Sequence, residues 1–339
     1  MVKDFKKLLY FISTSDRKRA VVILIMILIM AFIDMIGVAS ILPFIAVLSS
    51  PDIIETNLYL NKAYVASGIF GIENNQQFLF VLGILVFLLL VFSLLFKALT
   101  TYLQVRFVQM CQYNLSKRLI EDYLYQPYSW FLGRHSADLG KNILSEVSEV
   151  IGKGLKPLME LIAKGMVAIA IIFLLVLVDI KLTLMAGLLF GGAYLIIFYF
   201  VRSNLNRIGA ERLKNNQLRF TVVTEAFGAA KEVKVGGLEK IYIDRFSHPA
   251  YIFAKNQATG SLLAQLPRFI LEAIAFGGIM LVILYLIMQT GSFNESLPII
   301  ALYAFAGYRL MPALQRIYAS FAQITFSGPS ISRLYNDLK

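Results

Sequence analysis

Arg309 is the residue whose placement most demands a chemical reason. It lies within ALYAFAGYRLMPALQR, residues 301–316, inside an apolar segment that runs from Leu297 to Phe321. It stands about twelve residues in from the start of that segment. At about 1.5 Å per helical residue this is roughly 18 Å deep in a hydrocarbon core about 30 Å thick. An arginine near the middle of a membrane helix costs about 2.5–3.5 kcal/mol to insert. It therefore needs a polar cavity, a partner or a substrate. Pro312 follows, where it removes a backbone donor and can kink the helix. Two readings stand: an anion-binding or pathway residue in a polar cavity, or an internal ion pair with an intramembrane acid. Asp34 and Glu272 are the acids available for such a pair.

Two further cations sit at apolar boundaries. Lys97 ends the second apolar segment, where its ammonium can host an anion or snorkel to headgroups. Arg268 opens the fifth, with Glu272 one turn further on, a spacing that allows an intrahelical ion pair. Arg309, Arg268 and Lys97 are the candidate hosts for an anionic headgroup. Asp34, Glu272 and Arg316 are candidates for gating pairs. Arginine suits phosphate because its planar fork donates two parallel hydrogen bonds. Other chemistry has little material. Cys111 is the one cysteine, and His135 and His248 lie far apart, so a Cys-based metal site and a His-rich centre are excluded. No paired-Asp motif supports an integral membrane enzyme acting on lipid carriers, and no filter-like segment supports a channel.

The elements that must hold these residues are membrane spans. Of 339 residues, 58% are hydrophobic and only 16% charged, with mean hydropathy +0.70. That composition excludes an ordinary soluble domain. The net charge of +11 is clustered between apolar runs, which argues against nucleic acid as a partner. The expected fold is an all-α membrane protein with six transmembrane helices, at about 20–48, 78–97, 158–178, 182–201, 269–288 and 297–321. Residues 1–19 read as a basic interfacial helix. Residues 57–70 allow a short amphipathic helix on the membrane surface. The membrane domain spans 20–326, and Ser327-Gly328-Pro329 punctuates the chain before a final amphipathic piece, 327–339.

Helical periodicity does not stop at Lys97. Leu115, Leu119 and Tyr123 recur every four residues, so the helix should project to about Gln126, where Pro127 breaks it. Tyr128 to Arg134 (YSWFLGR) is a short aromatic element holding the only tryptophan, Trp130. Ser136 then caps a returning helix. A second projecting pair follows, Arg202 to about Phe227 and Leu238 to Gln265, separated by GAAKEVKVGG. Lys/Arg counts orient the chain: six in the N-terminal arm, six in Gln112–Pro157 and eleven in Arg202–Arg268. The opposite loops hold Lys62, Lys181 and none. Both termini and both long hairpins are therefore expected in the cytoplasm. At about 25 residues per arm the hairpins reach roughly 35–40 Å below the membrane, where a cytoplasmic partner must dock.

This arrangement resembles the transmembrane domain of a type IV ABC exporter. Tyr125–Leu139 (YQPYSWFLGRHSADL) is similar to that family's first coupling helix. Glu225–Phe246 (EAFGAAKEVKVGGLEKIYIDRF) is similar to its second. LPRFILEAIAF (266–276) and AGYRLMPALQRIYASF (306–321) resemble the bacterial PglK-type lipid-linked oligosaccharide flippases more closely. The resemblance implies that Tyr128, Trp130 and Phe131 in the first tip, and Ala229, Lys231 and Val233 in the second, engage a nucleotide-binding domain. It further implies a second copy or homologous half, a lipid-linked substrate hosted by basic residues, and the bacterial inner (plasma) membrane. The chain departs from the family in one respect: it has no G-x-x-x-x-G-K-[ST] phosphate loop and no LSGGQ-like signature. ATP and Mg2+ are therefore expected on a nucleotide-binding domain outside this chain, with no catalytic residue and no metal within it.

Overall fold

A computed structural model describes residues 2–67, 74–290 and 293–338. Among the described residues the chain is helical nearly throughout and contains no strand. Helix α1 (Val2–Tyr10) leads into α2 (Thr14–Ala39), which is capped by the Ser13 side chain accepting from the Asp16 amide. The first apolar run is not one helix. It breaks at Ser40 and resumes as α3 (Ile41–Ser49). Pro43 explains the break: it has no N–H for the Ala39 carbonyl four residues back, and its ring crowds that carbonyl. Helices α4 (Ile53–Thr56) and α5 (Leu58–Ser67) follow. α5 packs on the next long helix through Tyr64 and Phe78, whose rings meet edge-on at 5.2 Å. Of the stretch 57–70, expected to allow a short surface helix, Leu58–Ser67 is helical, and residues 68–70 lie outside the described ones.

Helix α6 (Asn75–Leu124) is 50 residues long and unbroken. Its first half exposes apolar side chains such as Phe80, Phe87 and Leu95. Its second half buries Phe107, Val108, Cys111, Leu115, Leu119 and Tyr123 at three- and four-residue spacing, the stripe of an amphipathic helix. Pro127 caps the short α7 (Tyr128–Leu132), and α8 (Ser136–Lys141) turns back. The return is interrupted by two wide turns, π1 (Asn142–Glu146) and π2 (Ile151–Leu155), flanking α9 (Val147–Val150). Pro157, near the start of α10 (Lys156–Val178), gives a reason for the second. It cannot donate to the Lys153 carbonyl, and that carbonyl instead accepts from Ser327 Oγ at 3.0 Å.

The tight turn expected at 179–181 is capped by Asp179, whose carboxylate accepts from the Lys181 and Leu182 amides at 2.9 and 3.1 Å. Helix α11 (Ile180–Gly228) then runs 49 residues to the second tip, α12 (Ala230–Val235). Gly237, with φ 62°, ends the tip in the left-handed conformation that only glycine adopts without strain. Helices α13 (Glu239–Gln265), α14 (Pro267–Thr290) and α15 (Phe293–Asp337) complete the chain. Three stretches among the described residues are long and apolar enough to cross a membrane: Asp16–Ser49, Asn75–Leu124 and Ser136–Val178.

Helix α15 differs from expectation, because it passes through Ser327-Gly328-Pro329 without a break. Tertiary packing overrides the local breaker signal. A Cβ on Gly209 of α11 would lie 2.1 Å from the Phe326 carbonyl oxygen, and one on Gly260 of α13 would lie 2.7 Å from the Phe326 ring. Two glycines thus let α15 lie against α11 and α13, and buried Ile331 and Leu334 hold its last turns in the main core. The N-terminal arm also packs on this helix. Leu8, Phe11 and Ile12 are buried, Lys7 Nζ donates to Ser332 Oγ at 2.8 Å, and Tyr10 meets Tyr335 edge-on at 5.1 Å. Lys6, Arg17, Lys18 and Arg19 remain exposed.

Candidate functional site

Asp34 of α2 lies at the centre of a charge cluster inside the apolar helices. Its Oδ1 accepts from Arg309 Nη1 of α15 at 3.2 Å, and from Ser93 Oγ of α6. The carboxylate is 1% exposed and the guanidinium 12%. Of the two readings of Arg309, the geometry realises the ion pair. One α-helical turn pair further along α15, Arg316 Nε stands 3.6 Å from Glu160 of α10. Lys164, one turn beyond Glu160, lies in the electrostatic field of Lys97, Asp34, Arg316 and Glu160. The cluster therefore draws on α2, α6, α10 and α15, and its cations outnumber its carboxylates by two. Lys97 and Lys164 account for the surplus: neither has an ion-pair partner among the described residues.

Arg268 is placed differently. Its Nε donates to Glu272 Oε1 at 2.7 Å along α14, and the pair is partly exposed. Gln315 of α15 stands near Glu272, and α14 packs along α15, which also carries Arg316. Arg309, Lys97, Asp34 and Arg316 are thus brought into one region, with the Arg268–Glu272 pair on the adjoining helix. Lys164 and Glu160 were not singled out from sequence. Lys164 carried the same signal as Arg309, a single cation inside an apolar run (LIAKGMVAIAIIF).

Below the apolar zone a second polar cluster ties the long helices together. Arg212 of α11, only 2% exposed, donates through Nη1 to Glu146 Oε2 at 2.8 Å and to Ser330 Oγ at 3.1 Å. Asn216 donates to Glu146 Oε1 at 2.7 Å. Glu149 stands 3.6 Å from Arg212 and 3.1 Å from Lys153, which in turn bonds Gln257 of α13. The wide turn π1 carries Glu146 and π2 carries Lys153, so both extra-residue turns aim a charged side chain into this interface. Such turns often mark functional positions.

At the hairpin tips the proposed docking residues divide. Trp130 is half-buried between Tyr123 and Phe131, at 5.4 and 5.1 Å between ring centres, and the Arg134 guanidinium covers it at 4.0 Å. Val233 is buried. Phe131 is half-buried, and Tyr128 and Lys231 are exposed. Apolar side chains that do project are Tyr125 at 90% and Tyr128 at 78% exposure in the first tip, and Phe227 at 78% and Val235 at 82% in the second. Ala229 is half-buried at the break between α11 and α12. Lys234 Nζ donates to Glu239 Oε1 at 2.9 Å, and this bond, with a backbone hydrogen bond, holds the Glu239 carboxyl below its ordinary range.

Residues 63–312, well over half of the chain, match the ABC transporter transmembrane region, and the chain belongs to that family. Among solved structures it is similar to a bacterial Atm1-family ABC exporter with ATP bound, at 14% identity and a TM-score of 0.69. That match covers 95% of this chain and 53% of the other, so the chain spans about half the length of that exporter. The shared feature is the fold, and it is the exporter membrane-domain fold that the two long helical hairpins led us to expect.

Proposed function

We propose that this chain is the membrane-spanning half of an ATP-driven exporter. Its six spans would pair with a second copy or a homologous half around one chamber, with both termini in the cytoplasm of a bacterial cell. A nucleotide-binding domain carrying ATP and Mg2+ would dock on the exposed apolar side chains of α7 and α12. The cargo would be a polyprenyl-pyrophosphate-linked oligosaccharide or a similar amphipath, moved from the cytoplasmic to the outer leaflet.

The observation that carries the substrate reading is the cation surplus around Asp34. Arg309 is held by a carboxylate within ion-pair distance, whereas neither Lys97 nor Lys164 has one among the described residues. Lysines in or beside an apolar segment without an ion-pair partner are costly unless something anionic visits them. A pyrophosphate headgroup supplies that charge, while its polyprenyl tail can stay in lipid. Arg309 would then add its fork to the phosphate without leaving Asp34. A general exporter of lipid, peptide or drug would leave Lys164 without an anionic visitor and Lys97 with headgroups alone.

The test is reconstitution of the chain with its ATPase domain in proteoliposomes. Flipping of a polyprenyl-pyrophosphate glycan is compared with that of the same glycan on an uncharged polyprenyl carrier. Preference for the pyrophosphate form supports the reading, and equal rates contradict it.

A further inference from the structure

The geometry points to a binding site for an anionic phospholipid, formed by Arg19 and Arg106 over the groove between α2 and α6. The groove has a volume of about 450 Å³, with Val22, Leu103, Phe107 and Met110 on its walls and the two arginines at its polar side. It is distinct from the cluster around Asp34 and serves a different ligand.

Position supplies the first argument. Arg19 immediately precedes the first apolar run, which begins at Ala20, so it stands where a membrane helix meets headgroups, and Arg106 lines the same groove. From there, exposed Val21, Val22, Ile25, Leu99 and Tyr102 carry apolar surface along both helices toward the bilayer centre. A molecule that fits this gradient is anionic at one end and aliphatic at the other.

Charge supplies the second. Arg106 is exposed and has no ion-pair partner among the described residues. Arg19 is pre-positioned. Its guanidinium lies 3.7 Å from Asp16, which is 1% exposed and is itself fixed by Asn114 of α6 donating at 2.8 Å. Asp16 thereby ties Arg19 to the α2–α6 junction at one end of the groove, and Arg106 lines the same groove from α6. Two guanidinium forks over one groove match the oxygens of a phosphodiester. The groove takes the phosphate, the glycerol and the start of one acyl chain, with the remainder of the lipid in the bilayer.

The test uses native mass spectrometry of the assembled transporter, equilibrated with mixed micelles holding equal phosphatidylglycerol and phosphatidylcholine. Wild type should retain phosphatidylglycerol preferentially. Arg19→Gln/Arg106→Gln should lower that preference about thirtyfold, in line with the pull of two basic side chains at a membrane surface. Arg17→Gln/Lys18→Gln, equal in charge change but outside the groove, should keep it. Leu103→Trp, which fills the groove without altering charge, should also lose it and covers the case in which the double variant does not fold. Unchanged preference in the groove variants overturns the proposal. So does an equal loss in the Arg17/Lys18 control, which would assign the effect to diffuse surface charge.

Discussion

Asp34 and Arg309, 275 positions apart in sequence, meet at 3.2 Å between α2 and α15. Asp34 Oδ2 and Arg309 Nε are buried without a hydrogen-bond partner among the described residues. The pair is therefore incomplete as well as buried, and it joins the first and last long apolar helices. Removing one partner of such a pair strands the other charge. Arg309→Ala should lower stability by about 3 kcal/mol. Asp34→Asn/Arg309→Gln should recover most of the loss, because neither group is then charged. Thermal unfolding of the purified protein in nanodiscs checks both. An Arg309→Ala protein as stable as wild type would show that the pair contributes nothing to the fold.

Transport and stability should separate at the lysines. Lys97→Gln and Lys164→Gln remove charge without breaking an ion pair among the described residues, since Asp34 and Glu160 are paired with Arg309 and Arg316. Each should reduce flipping of a pyrophosphate-linked substrate by about tenfold, a loss equivalent to one charge-assisted hydrogen bond. The melting temperature should hold or rise. Arg309→Lys should lie between wild type and Arg309→Gln in transport, because an ammonium keeps the charge but loses the fork. Parallel flipping and melting curves on wild type and the four variants distinguish these outcomes from general damage.

The seat of α15 makes a steric prediction. Gly209→Ala would drive a methyl group to 2.1 Å from the Phe326 backbone oxygen, where no side chain can yield. A loss of about 1–3 kcal/mol is expected, as for overpacking elsewhere. Gly165→Ala in α10 is the control, because nothing lies within 4 Å of the added carbon. There the substitution should be neutral or stabilising by about 0.5–1 kcal/mol, since alanine favours the helix. Chemical denaturation of both variants provides the comparison.

At the first tip, Trp130 and Tyr128 should behave differently. Trp130 packs on Tyr123, Phe131 and Arg134, so Trp130→Ala should loosen the tip and increase amide exchange over 127–135. Tyr128 projects into solvent, so Tyr128→Ala should leave exchange unchanged but weaken docking of the ATPase domain by about 2 kcal/mol, as for an aromatic anchor entering a pocket. Hydrogen exchange and an association measurement separate the two roles. Reversal of the pattern would make Trp130 the anchor.

The sequence showed the long hairpins because periodicity and breakers agreed there. The stripe at Leu115, Leu119 and Tyr123 carried α6 past Lys97, and Pro127 ended the expectation close to where α6 ends at Leu124. Two prolines behaved differently from expectation. Pro43 splits the run expected as one span over 20–48, by its own missing donor, whereas Pro329 does not end α15, because Phe326, Ile331 and Leu334 are locked into surrounding helices. A local breaker signal cannot report that tertiary support. Asp34 and Arg309 were each conspicuous as charges in apolar runs, yet their meeting depends on helix register across the bundle. Glu146 and Arg212 were less visible still. They lie on extensions that read as solvated amphipathic helices, and only packing buries them.

The central claim is that surplus positive charge around Asp34 hosts a pyrophosphate headgroup. It is tested most directly by equilibrium binding of a polyprenyl pyrophosphate and of the matching polyprenol to the assembled transporter in nanodiscs. Wild type should prefer the pyrophosphate by at least about tenfold, a difference of about 1.4 kcal/mol, and Lys97→Gln/Lys164→Gln should bind the two alike. Equal binding of both lipids by wild type, or an unchanged preference in the double variant, would contradict it.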